Sequence, residues 1–243
     1  MDAHKLEILI EQAGHPDAAT RAEAAIGLAD MVTGRSDDPA VGALIELTRD
    51  NEADVRDQAV FALGALAEAD SPAVREALWA RVDDPDQETR EQAIRGLAIR
   101  RDPRSVPLLG QLLAADSAHL HTFQAAAVLA DPTLLPALRA YDPTDPGVTE
   151  ALTTCDPQLR APRDRDSAAL LKTVHRLLPN TDAALYAHRM EPTLTLTLTA
   201  PDGPLFWNVD RLLERAGGNP ERAAALVAED TGARSPAEGT SAV

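Results

Sequence analysis

Few residues of this chain have the types and the spacing that catalysis requires. Its 243 residues include one cysteine and six histidines, none of which is followed by a glutamate. A glycine-rich phosphate loop, a Gly-x-Ser-x-Gly nucleophile motif and a cysteine pair for zinc are all missing from the sequence. We therefore expect a protein that is not an enzyme and that has no catalytic residue, no cofactor and no bound metal.

Two short motifs are the remaining candidates for cation binding. His119 and His121 are two residues apart, so on a helix they would point to nearly opposite faces, whereas in a loop they could share a metal. The acidic run at residues 83–86 lacks the glycine and the distal glutamate of a calcium loop. Acidic side chains are favourable at a helix N-terminus. The sequence thus favours a polar junction between repeats for the histidines and a helix start for the acidic run.

The elements that must position any site are indicated by a pattern that occurs twice. Asp50 is followed six residues later by Arg56, and Asp84 is followed six residues later by Arg90, each time before apolar residues at helical spacing. The arginine position recurs at 21, 56, 90 and 122, with threonine at the last. A fixed period of this length predicts helix pairs that stack on their neighbours. We expect these aspartates and arginines to form a ladder between adjacent repeats.

Residues 15–141 resemble HEAT repeats, in particular the short bacterial type that is also called phycobilisome-lyase-like. The matching positions are Asp50, Arg56, Ala59, Val60, Leu63 and Gly64, then Asp84, Arg90, Ala93, Ile94 and Leu97, with Pro-Ala-Val helix starts at 39–41 and 72–74. The resemblance implies a right-handed α-solenoid that binds another protein. It also implies that the second helix of each repeat lines the concave surface.

Trp79 falls in the second helix of the second repeat, on this implied concave surface. Packing between repeats is one interpretation, because large aromatic residues in helices mostly serve packing. The other is an interface anchor, since tryptophan and arginine dominate binding hot spots. Its expected polar neighbours are Arg75, Arg104, Gln111 and Glu46.

The charge balance narrows the class of partner. The net charge is −16, and residues 1–141 hold 24 acidic against 13 basic residues, a net −11. Such a surface repels phosphate backbones, so we expect no nucleic acid and instead a protein partner. The excess negative charge most directly serves solubility, and it would also suit a basic partner. No run of 18 apolar residues is present, so no membrane span is expected. The single Cys155 and the absence of a signal peptide pattern favour the cytoplasm.

The C-terminal part changes character. Residues 193–199 alternate threonine and leucine, which predicts a strand, and neighbouring segments at 183–190 and 205–208 would complete a sheet of two or three antiparallel strands. Phe206 and Trp207 are expected to plug the core of this sheet. The expected organisation is a solenoid over residues 1–155, a linker over 156–165, a small α+β region over 166–230 and a disordered tail over 231–243.

Taken together, these patterns predict a mainly α protein that acts as a non-enzymatic interaction module. An adaptor, a regulatory protein or an immunity-type protein would each fit, with the partner on the concave face. The alternative is a lyase or chromophore-handling enzyme, which rests only on analogy with the proteins that lend this repeat type its name.

Overall fold

A computed structural model describes residues 3–34, 38–115, 118–187, 193–200 and 203–231. The chain divides into two compact units, residues 1–155 and residues 156–243. Of the tail expected to be disordered, only Thr231 falls within the described residues, where it caps the last helix. No helix in the described part of the chain is both long and apolar enough to cross a membrane.

The first unit is an α-solenoid. Its helices are α1 Ala3–Ala13, α2 Ala18–Ala29, α3 Pro39–Leu47, α4 Ala53–Phe61, α5 Pro72–Trp79, α6 Gln87–Ile99, α7 Ser105–Ala114, α8 Leu120–Leu129, α9 Leu135–Leu138 and α10 Pro146–Cys155. The first helices of successive repeats pack on one another in the order α2, α4, α6, α8 and α10. This stacking is the architecture that the repeat pattern predicts.

Local sequence signals explain where these helices begin. The Asp17 and Asp86 side chains accept hydrogen bonds from the backbone N–H three residues on, at 2.9 and 2.8 Å, and so satisfy donors that a helix start leaves open. Ser71 caps α5 in the same way, at 3.3 Å. Pro39 and Pro72 occupy first helical positions, where the missing N–H costs nothing.

Leucine and alanine build the core between the helix layers. Five leucines from five different elements are fully buried in one continuous cluster, namely Leu28, Leu44, Leu63, Leu78 and Leu97. Small residues between them allow close helix contact. A Cβ atom placed on Gly96 of α6 would lie 2.8 Å from the Cα atom of Gly64, so the two backbones nearly touch. The absence of side chains at these two positions therefore sets the spacing between the second and third repeats.

A buried arginine supports this contact. Helix α4 continues into a π-helical turn at Ala62–Leu66, and Arg100 is only 5% exposed. Its guanidinium donates to the backbone carbonyls of Leu63 and Gly64, both at 2.6 Å, and to that of Ala69 at 2.8 Å. Carbonyls that the wider turn leaves without helical partners are satisfied in this way.

In its described residues, the second unit combines three helices with a small sheet. Its elements are α11 Pro157–Leu177, β1 Asp182–Ala187, β2 Leu194–Ala200, β3 Gly203–Asn208, α12 Val209–Arg215 and α13 Pro220–Asp230. The strands form an antiparallel sheet in the order β1-β2-β3, with Leu196 opposite Leu185 on one side and Trp207 on the other. Leu196 and Leu198 are buried against the helices. The expected antiparallel sheet of two or three strands is confirmed: it has three, and the threonine-leucine strand β2 lies at its centre.

Two expectations for this unit were wrong. Residues 157–165, expected to be a linker, are the first turns of α11, because Asp156 caps the helix at 2.9 Å and Pro157 takes its first position. Pro162 inside the helix removes one hydrogen bond but does not end the helix. Phe206 is 64% exposed, whereas Trp207 packs on the core. Adjacent strand residues point to opposite faces, so the two aromatics could not both plug the core.

Candidate functional site

The aspartates and arginines of the repeats form bidentate pairs from one repeat to the next. Arg21 donates through Nε and Nη2 to the two carboxylate oxygens of Asp50, at 2.7 and 2.8 Å. Arg56 binds Asp84 in the same geometry, at 3.0 and 2.8 Å. The remaining nitrogen of Arg56 donates to the carbonyl of Asp50 in its own repeat, at 3.0 Å. Each arginine thus ties the loop of its own repeat to the loop of the next.

Arg90 occupies the third position of this series. Its Nη1 donates to the carbonyls of Asp84 and Pro85, at 2.6 and 3.0 Å, as the two earlier arginines do within their own repeats. The aspartate of the following repeat, at position 116, lies outside the described residues. What the structure shows for Arg90 is therefore the bond to its own repeat.

The pairs shift the protonation of the aspartates. The hydrogen bond from Arg21 holds the pKa of the Asp50 carboxyl below its ordinary value. At Asp84, burial by itself raises the pKa, but hydrogen bonds from Arg56 and from the backbone of Asp86 outweigh it, and the pKa lies below the ordinary value. Both carboxylates are therefore held in the charged form.

Trp79 and Arg104 stack on the surface of the solenoid. The guanidinium carbon of Arg104 lies 4.6 Å from the Trp79 ring centroid, a cation–π geometry. Arg104 is held there by two carboxylates. Asp102 accepts from its Nε and Nη2 at 2.9 and 3.0 Å, and Glu76 accepts from its Nη1 at 2.7 Å. These bonds raise the pKa of the Arg104 guanidinium above its ordinary value, with Asp102 the larger cause.

Arg75 joins the same group from one turn earlier on α5. It makes a bidentate pair with Asp70, at 2.7 Å for both bonds, and donates to the carbonyl of Arg100 at 2.8 Å. Its Nη1 is also 3.7 Å from Asp102, so one aspartate serves both surface arginines. We call this group the Trp79 patch. Its members are Trp79, Arg75, Arg104, Asp70, Glu76 and Asp102.

The structure does not bring all the expected neighbours together. Glu46 on α3 pairs with Arg49 of its own repeat, at 2.7 Å. Gln111 is exposed on α7. Neither makes a hydrogen bond to the Trp79 patch among the described residues. The sequence analysis missed the carboxylates of Asp70, Glu76 and Asp102. Asp70 stands five positions before Arg75 and Asp102 stands two positions before Arg104, and this spacing was the signal that could have found them.

A second cluster lies between the third and fourth repeats. His119 Nε2 is 3.1 Å from one carboxylate oxygen of Glu91, and His121 Nδ1 contacts the other oxygen. Gln87 donates to the same carboxylate at 2.8 Å. A cavity of about 410 Å³ borders these side chains.

The histidines share a site because His119 is not on the helix. It is the N-cap residue of α8, with φ −137° and ψ −177°, and only His121 belongs to the first helical turn. The two histidines are therefore not on opposite faces of one helix. One ligand atom from each of Glu91, His119 and His121 lies within 4.8 Å of the others, and this is the single group of its kind among the residues that the structure describes. These three side chains could hold a metal ion.

Comparison with known proteins agrees with the repeat architecture. The family model for HEAT repeats matches residues 6–84 and 42–130, and together these cover 125 of the 243 residues. Protein YibA of Escherichia coli strain K12 is 33% identical over 103 residues, which are 42% of this chain and 36% of YibA. The chain thus spans about a third of the length of the curated relatives that it matches.

Two solved structures share the fold. The X-ray structure of E. coli YibA superposes with a TM-score of 0.53 at 24% identity, over 65% of this chain and 56% of that one. The complex of CpcE and CpcF of phycocyanin lyase from Nostoc sp. PCC7120 superposes with a TM-score of 0.52 at 21% identity, over 70% of each chain. Sequence identities of 24% and 21% show only that these proteins share a fold with this chain. With more than half of its length matched by the family model, the chain belongs to the HEAT-repeat family.

Proposed function

We propose that this chain is a non-enzymatic protein-interaction module whose Trp79 patch is the binding surface. The observation that carries the proposal is the stack of Arg104 on Trp79, held in place by Asp102 and Glu76. Tryptophan and arginine are the residues that most often dominate binding energy. The HEAT-repeat family to which the chain belongs generally mediates protein interactions.

The patch is organised before any partner arrives. Arg75 and Arg104 are each fixed by a bidentate carboxylate pair, so their rotamers are set in the free protein. Ordering a long side chain on binding costs roughly 0.5–1.5 kcal/mol. Because both arginines are already ordered in the free protein, binding does not incur this cost again. A planar tryptophan–guanidinium stack on such a support offers a rigid, flat contact area.

The charges around the patch favour a basic partner. Two arginines are balanced by three carboxylates, of which Asp70 and Glu76 are exposed. Residues 1–141 as a whole carry a net −11. We infer that the partner brings an apolar or aromatic side chain to Trp79 and basic side chains to Asp70 and Glu76. Attraction of this kind speeds encounter and weakens as salt rises.

Affinity capture of the tagged protein from its native lysate, at low and at moderate salt, tests the proposal. Trp79→Ala removes the anchor, and Glu76→Lys reverses an exposed charge without touching the core. We expect wild type to retain one stoichiometric protein and each variant to lose it, since loss of a hot-spot residue costs about 2 kcal/mol or more, roughly 30-fold in Kd.

Phe206→Ala is the matched control, because it truncates an exposed aromatic residue in the other unit. It should capture the partner as wild type does. Thermal unfolding of every variant shows whether lost capture reflects a lost surface or a lost fold. If Trp79→Ala and Glu76→Lys each captured as much of the partner as wild type does, the proposal would be contradicted. If wild type captures nothing at either salt, a thermal-shift ligand screen tests the lyase or chromophore-handling alternative.

A further inference from the structure

We propose that Glu91, His119 and His121 form a binding site for a divalent transition-metal ion at the junction of the third and fourth repeats. The site is separate from the Trp79 patch and does not depend on the proposed partner. It is read from three side chains that the fold brings together across 28 to 30 residues of sequence.

The donor atoms have the chemistry that such ions prefer. Neutral imidazole nitrogens and carboxylate oxygens bind zinc at about 2.0–2.2 Å. Two donors at these distances in tetrahedral geometry lie about 3.4 Å apart. The three ligand atoms already lie within 4.8 Å of one another, and the Glu91 oxygen is 3.1 Å from His119 Nε2. Side-chain rotations alone can therefore close the site around an ion.

The carboxylate is oriented for this role by its surroundings. The side chain of Glu91 is only 10% exposed, while each histidine is 44% exposed, so the anion is sheltered and the imidazoles form the open side. Gln87 donates to Glu91 at 2.8 Å and restrains its rotation. Metal ligands in proteins are commonly oriented by a second hydrogen-bonded group of this kind.

The charge around the site also favours a cation. Asp83 lines the neighbouring cavity, and Asp86 and Glu88 border the histidines from the other side. Arg90 also lines this cavity and its positive charge would repel a cation. Its Nη1, however, donates hydrogen bonds to the carbonyls of Asp84 and Pro85. Among the described residues that line these two cavities, the four carboxylates, Glu91 included, outnumber the one guanidinium.

Three protein ligands leave one position of a tetrahedral ion open. Structural zinc sites use four protein ligands, whereas sites that exchange a ligand keep one position for water. Glu91, His119 and His121 all line the cavity of about 410 Å³, whose walls also include Val82, Leu112 and Thr122, so this cavity has room for a water molecule at the open position. The ion would thus carry an exchangeable water and would also cross-link helix α6 to the start of α8.

Titration of the purified, metal-stripped protein with Zn²⁺ in a calorimeter tests the site. We expect one equivalent to bind to wild type, and we expect the Kd to rise at least 100-fold in Glu91→Gln and in His121→Ala. Gln87→Ala, which removes only the orienting group, should weaken binding roughly 10-fold. Co²⁺ in place of Zn²⁺ should give visible d–d bands with the intensity of four-coordinate cobalt, and these bands should disappear in the ligand variants.

His4→Ala is the matched control. His4 on α1 lies 4.0 Å from Glu7, which is an exposed histidine–glutamate pair without a second histidine. The His4→Ala variant should bind Zn²⁺ with the same Kd as wild type. Circular dichroism confirms that each variant is folded, and Glu91→Gln keeps the shape of the side chain. No saturable heat in wild type, or binding that survives in the His119→Ala/His121→Ala double variant, would overturn the proposal.

Discussion

A single added methyl group at Gly96 should test how closely the repeats pack. In Gly96→Ala the new Cβ would lie 2.8 Å from the Gly64 Cα atom and 3.2 Å from a methyl carbon of Leu78. Leu78 can rotate, but the Gly64 contact is backbone, and real Cβ atoms do not approach backbone that closely. Helix α6 must therefore move away from the turn at Ala62–Leu66.

The magnitude follows from two opposing effects. Alanine in a helix interior is about 1 kcal/mol more favourable than glycine. Overpacking costs about 1–3 kcal/mol, and the upper end applies where the obstacle is backbone. The displacement also stretches the bonds of Arg100, which holds the Gly64 and Gly96 carbonyls at 2.6 and 3.0 Å. We expect Gly96→Ala to lower the free energy of unfolding by about 2 kcal/mol.

Urea denaturation followed by tryptophan fluorescence measures this effect. A Trp207→Phe background leaves Trp79 as the single tryptophan, so the signal reports on the first unit. Gly110→Ala in α7 is the matched control, because its Cβ would meet no atom within 4 Å. We expect this control to gain about 1 kcal/mol.

Gly64→Ala should fall between these two variants, since its Cβ would meet the Gly96 Cα atom at 3.3 Å. The ranking of the three glycines is thus a prediction from geometry alone. If Gly96→Ala were as stable as Gly110→Ala, the close approach of the two repeats would be refuted.

Two further predictions concern buried charges. Arg100→Met should lower the free energy of unfolding by about 3–5 kcal/mol, because the buried carbonyls that it serves lose their donor; an unchanged urea midpoint would contradict this role. At neutral pH Asp84→Asn should cost about 3 kcal/mol, since it leaves the guanidinium of Arg56 buried without its partner charge. The folded-state pKa of Asp84 lies below its ordinary value, so this stability is present above about pH 4 and is lost as the pH falls through the folded pKa. The difference in urea midpoint between wild type and Asp84→Asn should shrink as the pH falls from 7 to 3, and a constant difference would argue against the shift.

The sequence predicted much of the fold because the signals it used are local. Helix starts depend on a capping side chain and a proline within three residues, and the alternation of threonine and leucine at 193–199 depends only on the period of a strand. A local signal also led to the wrong prediction of a linker at residues 156–165. Two prolines there suggested a break, but Pro157 stands at a helix start, where proline is favoured.

The candidate sites were harder to predict because they join distant residues. Trp79 and Arg104 come from successive repeats, and the stack depends on the carboxylates Asp102 and Glu76 that hold the arginine. Periodicity shows that two repeats are neighbours. It does not show which rotamer each side chain takes on the surface between them.

What the sequence determined by itself was the period, the type of each element and the residue types available for the ladder, because these follow from contacts within a few residues. The tertiary structure decided which groups meet. Only the stacking of α6 and α8 places Glu91 between His119 and His121, and only the extended backbone of the N-cap turns His119 toward the same side as His121. The physical reason is that a metal-competent geometry needs atoms within a few ångströms of one another, and the packing of repeats, not the spacing in sequence, sets those distances.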